Sequence, residues 1–447
     1  MEKRIDFTTG KIVGPLLRFA GPVLLALFLQ AMYGAVDLLI VGKFGSSADV
    51  SGVSTGSQMM ITITNLISGL CMGMTIYLGQ KIGEKKAQEG GQIVGSGLLM
   101  FILVGVVMTI ILPVIAPQLA TIMHAPTEAF DLTVKYLRIC GGGAVVIIAY
   151  NLIGGVFRGM GDSKTPLVTV FIACICNIIG DLFLVAGLHL GTVGAAIATV
   201  GAQFISVIIS LVLIRKKTLP FEVHRDMIKW DSKIIKRIVF LGAPISIQDL
   251  LVGISFLVIM AIVNSLGLVE SAGIGVAEKV CAFIMLVPSS FMQSMSAFVA
   301  QNRGAGRMDR AMKGFKSAVA ISFAFGATMF FVAFFHGDVL AGLFANDHEV
   351  ILAAADYLKA YAIDCLLTCF LFCFVGFFNG MGYTRFVMAQ GIIGAFGVRV
   401  PLSFIISRMG STSLFHIGLA TPSSTALQIT LCFGCLLYMK KKTNTFF

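Results

Sequence analysis

Apolar runs of about 20 residues recur along the whole chain, the length a helix needs to cross a bilayer. Lipid offers the backbone no hydrogen-bond partner, so runs of this kind fold as helices whose amides and carbonyls satisfy one another. Composition agrees. Of 447 residues, 57% are hydrophobic and 12% are charged, and a soluble chain of this length could not hide so much apolar surface. About twelve spans are predicted, at roughly 13–42, 52–79, 92–115, 131–157, 164–187, 191–214, 236–265, 271–300, 316–341, 349–378, 384–407 and 413–439. The first is far longer than the apolar core of a signal peptide. No small-residue cleavage site follows it, so it reads as a retained helix.

The net charge of +11 raises the question of a nucleic-acid partner. Its distribution points instead to membrane orientation. Lys3, Arg4 and Lys11 precede span 1, and Lys81, Lys85 and Lys86 follow span 2. Arg215, Lys216, Lys217, Arg225, Lys229, Lys233, Lys236 and Arg237 lie between spans 6 and 7. Arg303, Arg307, Arg310, Lys313 and Lys316 follow span 8, and Lys440 to Lys442 lie near the end of the sequence. The intervening short loops hold little beyond Lys43 and Arg408. Both termini are therefore expected in the cytoplasm of a multi-pass inner-membrane protein. The bilayer is the expected surrounding, nucleic acid is not an expected partner, and a monomer is the simplest assembly.

The ten cysteines sit almost entirely inside apolar spans, which suits small buried hydrophobes better than a disulfide framework. Cys365, Cys369 and Cys373 share a helical face without the His or carboxylate neighbours that a metal would want. HExxH, P-loop and nucleophile-elbow motifs do not occur, and no nucleophile–base pairing suggests an enzyme.

The longest polar connection, 215–235, separates an N-terminal six-span lobe, 1–214, from a C-terminal six-span lobe, 236–447. The halves read as repeats. Gly21-Pro22 corresponds to Ala243-Pro244, and Phe44-Gly45 to Leu266-Gly267. Gln80 with Gly83 corresponds to Gln301 with Gly304, and Arg158-Gly-Met-Gly161 to Asn379-Gly-Met-Gly382. The offset stays at 221 to 222 residues. Six spans per half place both halves in the same orientation, related by a pseudo-twofold axis along the membrane normal. An all-α membrane protein of two such bundles has the geometry of alternating access.

Four polar side chains on three spans fall at one depth. Asp37 lies about six residues, or roughly 9 Å, before the outer end of span 1. Asp181 lies about as far before Gly187 on span 5, and Asn177, four residues earlier, shares its face. Thr199 is about eight residues, or roughly 12 Å, into span 6. A carboxylate in hydrocarbon is a functional-site candidate by default. Two of them close together should hold a proton or a small cation near neutral pH. Carboxylate, amide and hydroxyl oxygens would also suit Na⁺, so the residues leave H⁺ and Na⁺ both open.

With those residues in view, the chain resembles the multidrug and toxic compound extrusion (MATE) family along essentially its whole length. The resembling stretches are Ala20-Gly-Pro-Val23 with Gln30 and Asp37, Arg158-Gly-Met-Gly-Asp-Ser-Lys-Thr-Pro166, Asn177-Ile-Ile-Gly-Asp181, Gly194-Ala-Ala-Ile-Ala-Thr199 and Gln301-Asn-Arg-Gly304. The resemblance implies that Asp37, Asn177, Asp181 and Thr199 bind the coupling cation, H⁺ or Na⁺, with no other cofactor. It also implies that span 1 bends at Pro22 during substrate release. A proline inside a helix leaves a carbonyl unpaired and makes a pliable point. Gln30 and Tyr33 can share the Asp37 face, and the resemblance places Tyr136 and Asn151 in the same polar network. The implied substrates are amphipathic, cationic organic compounds exported by antiport. A surface rich in Phe and Met suits a permissive cavity.

The C-terminal half departs from the N-terminal one, with Ile259 at the position of Asp37 and about Leu402 at that of Asp181. It carries its own ionisable residues near mid-depth: Asp249, Asp364 and Arg399. Some branches of the family bind sodium with acids on spans 7 and 10. Here those positions fall nearer Val252 and Thr368, so a buried Arg399–carboxylate cluster is favoured over a second cation site. Arg399 also keeps open an alternative in the same superfamily, a lipid-linked oligosaccharide flippase, whose cavity should be basic. The acids of the N-terminal lobe argue against it.

Overall fold

The computed structural model describes residues 5–217, 219–221, 224–409 and 413–443. Of the basic residues counted above, Lys3 and Arg4 lie outside the described residues, as do the side chains of Arg225 and Lys442. The described residues are mostly helical, with no strand among them. In order, the helices are α1 (Val13–Phe44), α2 (Ser47–Gly83), α3 (Ala87–Ile122), α4 (Phe130–Gly142), α5 (Ala144–Gly159), α6 (Lys164–Asp181) and α7 (Gly191–Lys216). Then follow α8 (Ser232–Asn264), α9 (Leu268–Ile284), α10 (Leu286–Gly304), α11 (Met308–Phe335), α12 (Gly337–Gly342) and α13 (His348–Gly380). The last are α14 (Thr384–Ile392), α15 (Val400–Ser407), α16 (Leu414–Gly418) and α17 (Ala420–Thr443). Two π-helical segments interrupt the pattern, Leu182–Gly187 after α6 and Ile393–Arg399 between α14 and α15.

Eleven of the described helical stretches are long and apolar enough to span a bilayer. The pair α4 and α5, bent by 55°, makes a twelfth when counted as one span. The expected span 131–157 is thus a broken helix. The break falls in the run Gly141-Gly-Gly143, where helix propensity is lowest. It frees the Val145 amide, which donates to Thr109 Oγ1 at 3.1 Å.

Two compact units form, each with its own core. The first contains Leu25–Ser246, and the second contains Asp6–Leu24 and the chain from Ile247 onward. The unit borders therefore fall inside α1, just after Pro22, and inside α8, just after Pro244. In the first unit α2 meets the early turns of α8 at Gly73 and Gly242. A Cβ on Gly73 would lie 2.5 Å from the Gly242 nitrogen, so both positions are closed to side chains. Bare backbone contact of this kind is how helices approach closely where lipid supplies no hydrophobic drive. The connection after α7 lies on this same unit: Ser96 Oγ donates to Lys229 O at 2.7 Å, and Phe221 is buried. In the second unit α13 is the central helix, nearly three-quarters buried along its apolar stretch and packed by α9, α10, α11 and α17. Phe315, Phe374, Phe377 and Phe378 form its aromatic core.

The repeated Gly-Met-Gly motif is a repeated helix terminus. Gly161 has φ +82° and Gly382 has φ +74°. Behind them Asp162 N donates to Phe157 O at 2.9 Å, and Tyr383 N to Phe378 O at 2.9 Å. Each left-handed glycine closes orphan carbonyls at a helix end. In the first copy Asp162 then opens α6. Its carboxylate accepts from the Lys164 and Thr165 amides, from Thr165 Oγ1 at 2.6 Å and from Lys217 Nζ at 2.8 Å. Burial pulls this carboxyl upward, but the bonds from Lys217 and Thr165 outweigh it and hold Asp162 below the ordinary carboxylate range.

Two outcomes follow. Gly382→Ala places a Cβ in the left-handed region, at about 1 to 2 kcal/mol, and lowers the melting temperature of the purified protein. Asp162, with its folded pKa depressed, stabilises the fold above its unfolded pKa of about 4, and loses that contribution as pH falls through the folded value. The melting-temperature gap between native protein and Asp162→Asn is therefore wide at neutral pH and closes in acid.

Candidate cation site

α6 delivers Asn177 and Asp181 from one face, because residues four apart stack on a helix. The α-helix ends at Asp181, where the π-helical turn begins, and such turns concentrate at functional sites. α7 runs back against α6. A Cβ on Gly180 would sit 3.0 Å from Ala198 Cβ, so the residues that follow each, Asp181 and Thr199, are brought to one level. α1 supplies Asp37. The side chains of Asp181, Thr199 and Asn177 surround it, and Thr199 Oγ1 donates to Asp37 Oδ2 at 3.4 Å.

The four groups expected at one depth thus also converge laterally, within the first unit. Asp181 is 0% exposed, Asn177 1% and Asp37 5%. Asp37 Oδ1, both oxygens of Asp181 and both polar atoms of the Asn177 amide make no hydrogen bond of ordinary geometry, although these side chains lie against one another. Among the described residues, no basic side chain pairs with either acid within 4 Å. A buried carboxylate is normally paired or fully hydrogen-bonded, so this cluster is a candidate to hold a proton or a small cation. No group of three or more His, Cys, Asp or Glu that could hold a metal occurs among the described residues. The available donors are oxygens, the kind that hard cations prefer.

A polar track leads from Asp37 along α1. Tyr33 lies beside Asp37, Tyr150 and Gln203, and Gln30 Nε2 donates to Tyr150 OH at 3.3 Å. Tyr136 is buried rather than placed at an interface, with its ring against Gly56 and its side chain near Asp37, Tyr33 and Cys140. Asn151 is bound more locally: Nδ2 donates to Ile147 O at 2.8 Å, and Ser68 Oγ donates to Asn151 Oδ1 at 3.1 Å.

Sequence reasoning missed Tyr150, Gln203 and the Asp49 tether. Ser46 and Asp49 form a reciprocal cap at the start of α2. Asp49 Oδ1 also accepts from the Thr192 amide at 2.9 Å and from Thr192 Oγ1 at 2.8 Å, joining α2 to the first turn of the helix that carries Thr199. The Ser-x-x-Asp spacing was a readable signal for the cap, but nothing in the sequence signals the partner 143 residues away.

In the second unit, Asp364 and Arg399 come together and Asp249 does not. Thr368 Oγ1 donates to Asp364 Oδ2 at 2.9 Å, with Thr425 and Arg399 nearby. Arg399 Nη1 donates to Ser255 Oγ at 3.2 Å, and the guanidinium lies over the Phe256 ring at 4.3 Å. Asp249 is exposed and has no charged neighbour in this cluster. It precedes Ser255 by six residues, which turns it about 120° away around α8. Of the expected three-residue cluster, Asp364 and Arg399 are near neighbours without an ion pair within 4 Å, and Asp249 lies elsewhere. Pro22 lies within α1, two residues from the unit border.

A polytopic helical protein with a buried acidic cluster has the features of a membrane transporter. The MatE family matches residues 22–183 and again 244–405, so the two halves are two copies of one family unit. The chain belongs to the MatE family, the multidrug and toxic compound extrusion transporters. It is 24% identical over 440 residues to the probable multidrug resistance protein YoeA of Bacillus subtilis (strain 168), covering 95% of this chain and 93% of YoeA. It is 22% identical over 433 residues to the multidrug export protein MepA of Staphylococcus aureus (strain MSSA476), covering 96% and 95%. The outward-facing structure of a multidrug resistance MATE family transporter superposes with a TM-score of 0.91 at 19% identity, covering 99% of this chain and all of that one.

Replacing Asp181 by its amide removes the repulsion between two buried carboxylates at any pH where both would be ionised. Asp181→Asn is therefore expected to raise the melting temperature of the purified protein at pH 8 by a few degrees. An unchanged or lower value would show that the acids are already compensated.

Proposed function

We propose that this protein is a secondary antiporter that exports amphipathic, cationic organic compounds in exchange for H⁺ or Na⁺. The observation that carries the reading is the buried acid pair Asp37 and Asp181, which lacks an internal counter-ion. Such a pair is stable when it holds a proton or a small cation, and unstable when it holds none. In this reading Asn177 and Thr199 complete the oxygen shell. Tyr33, Gln30 and Tyr136 line the polar approach, and Asn151 shapes it. Helix α1 carries Asp37 beyond Pro22, so occupancy at Asp37 can be felt as a bend at the proline.

The ion drives the cycle only through a difference in its affinity for the two conformations. A tenfold difference corresponds to about 1.4 kcal/mol. Asp37 and Asp181 supply such a difference if one conformation leaves them dry and adjacent and the other admits water. The protein is taken to lie in the bacterial inner membrane as a monomer, with both termini cytoplasmic, consistent with its basic loops. The names of its relatives, YoeA and MepA, support multidrug substrates. The flippase alternative rests on Arg399. That guanidinium is engaged by Ser255, Phe256 and the nearby Asp364, which favours a structural pairing over a phosphate site.

Purified protein reconstituted in liposomes tests the reading. Ethidium efflux is followed under an imposed pH gradient and, separately, under a sodium gradient. One of the two is expected to drive it, and Asp37→Asn and Asp181→Asn should each reduce driven efflux at least about tenfold, equivalent to about 1.4 kcal/mol. Full activity in both variants would remove the site from the mechanism, and efflux with neither gradient would remove the antiport.

A further inference from the structure

The stretch before α1 is held by an arginine that the transport reading leaves unused. Arg310, on α11, is 6% exposed. Its Nε donates to Phe7 O at 2.7 Å, Nη1 to Gly10 O at 2.7 Å, and Nη2 to Thr9 O at 2.6 Å and Lys11 O at 2.9 Å. One guanidinium thus grips four backbone carbonyls in five residues. Asn302 on α10 adds a second donor to Phe7 O at 3.1 Å. The Phe7 ring is fully buried, edge-on to Phe19 of α1 and to Phe298 of α10, with both centroid distances 5.3 Å. Asp6 organises the strap from within, accepting from the Thr8 amide and from the Thr8 and Thr9 hydroxyls. Further along α1, Ser290 Oγ of α10 donates to Ala20 O at 3.2 Å.

These bonds fasten α1 to α10 and α11 at two levels, before its first turn and two residues short of Pro22. All of the partners belong to the second unit, together with Asp6–Leu24. The same helix continues into the first unit, where it carries Asp37. A charge committed to carbonyls, with Asp6 and Asp309 nearby but no acid within 4 Å among the described residues, fixes direction and register more than it adds stability. Planar, five-donor geometry is what lets arginine do this, and lysine cannot copy it.

We propose that Arg310 is a positioning residue for the transport cycle, clasping residues 7–11 so that the Val13 half of α1 is immobile and any bend set by the cation at Asp37 is confined to Pro22–Leu25. The proposal rests on the antiport reading of Asp37. Without the clasp, the early half of α1 slides or frays, and occupancy at Asp37 is dissipated along the helix.

The experiment compares native protein, Arg310→Gln, Arg310→Lys and Asp37→Asn, purified and reconstituted. It measures hydrogen exchange over residues 6–20, ethidium binding at equilibrium without a gradient, and gradient-driven ethidium efflux. In Arg310→Gln, exchange over 6–20 should rise about tenfold or more, as expected for losing charge-assisted bonds. Exchange over residues 25–44 and ethidium binding should stay within about twofold, while driven efflux falls about tenfold. Arg310→Lys should lie between. The proposal is overturned if the strap loosens and efflux stays native, if exchange over 6–20 does not change, or if efflux falls only in step with lost binding. Asp37→Asn separates the two claims. If it pumps normally, the antiport reading has failed; if it is inactive while Arg310→Gln pumps normally, only the clasp has failed. Should Arg310→Gln not accumulate, Phe7→Ala loosens the strap with the arginine intact and is judged by the same three readouts.

Discussion

A bilayer interior provides neither water nor counter-ions, and that poverty makes each polar group in this protein meaningful. Backbone groups answer it by forming helices. Side chains such as Thr75, Ser206 and Ser210 answer it by bonding to carbonyls in their own or neighbouring helices. Arg399 answers it with a hydroxyl, an aromatic face and a nearby acid. Asp37 and Asp181 stand out because, among the described residues, they are two buried acids side by side with Thr199 and Asn177 beside them and no basic partner within 4 Å. The proposed function supplies what that environment lacks, a mobile positive ion.

The two halves have diverged around that site while keeping their mechanical parts. Left-handed glycines terminate corresponding helices in both copies, at Gly161 and Gly382. A second pair of positive-φ residues, Lys85 and Gly306, also stands at the repeat offset after α2 and α10. Turn geometry is a backbone property and tolerates large changes in the surrounding side chains, so it persists. The acids do not persist. Ile259 is buried where the first copy has Asp37, and the second unit places its ionisable groups elsewhere.

Much of this was legible because a membrane helix is close to a ruler. Rise per residue converts sequence position into depth, so Asp37, Asn177, Asp181 and Thr199 could be placed in one layer before their lateral contact was visible. Rotation about the helix axis is harder to read, and Asp249 shows it. Its depth suggested company with Arg399, whereas its azimuth on α8 turns it away. The break between α4 and α5 was present as a glycine run but was hidden by continuous hydropathy. The grip of Arg310 left no trace in the sequence at all. Its partners are carbonyls, which every residue carries, so no side-chain pattern marks them. For the same reason the unit borders inside α1 and α8 were invisible: a prolonged apolar run says nothing about which neighbours each half will choose.

In the proposed exchange, coupling through Asp37 and Asp181 alone also sets an energetic ceiling. Two carboxylates can release at most two unit charges per turnover. At a membrane potential of 100 mV, two charges crossing are worth about 4.6 kcal/mol. That limits the concentration ratio sustainable for a neutral compound to roughly two-thousandfold, before any chemical gradient of the ion is added. In the proposed exchange, the want of matching acids in the C-terminal half therefore fixes how steep a gradient such a machine could maintain.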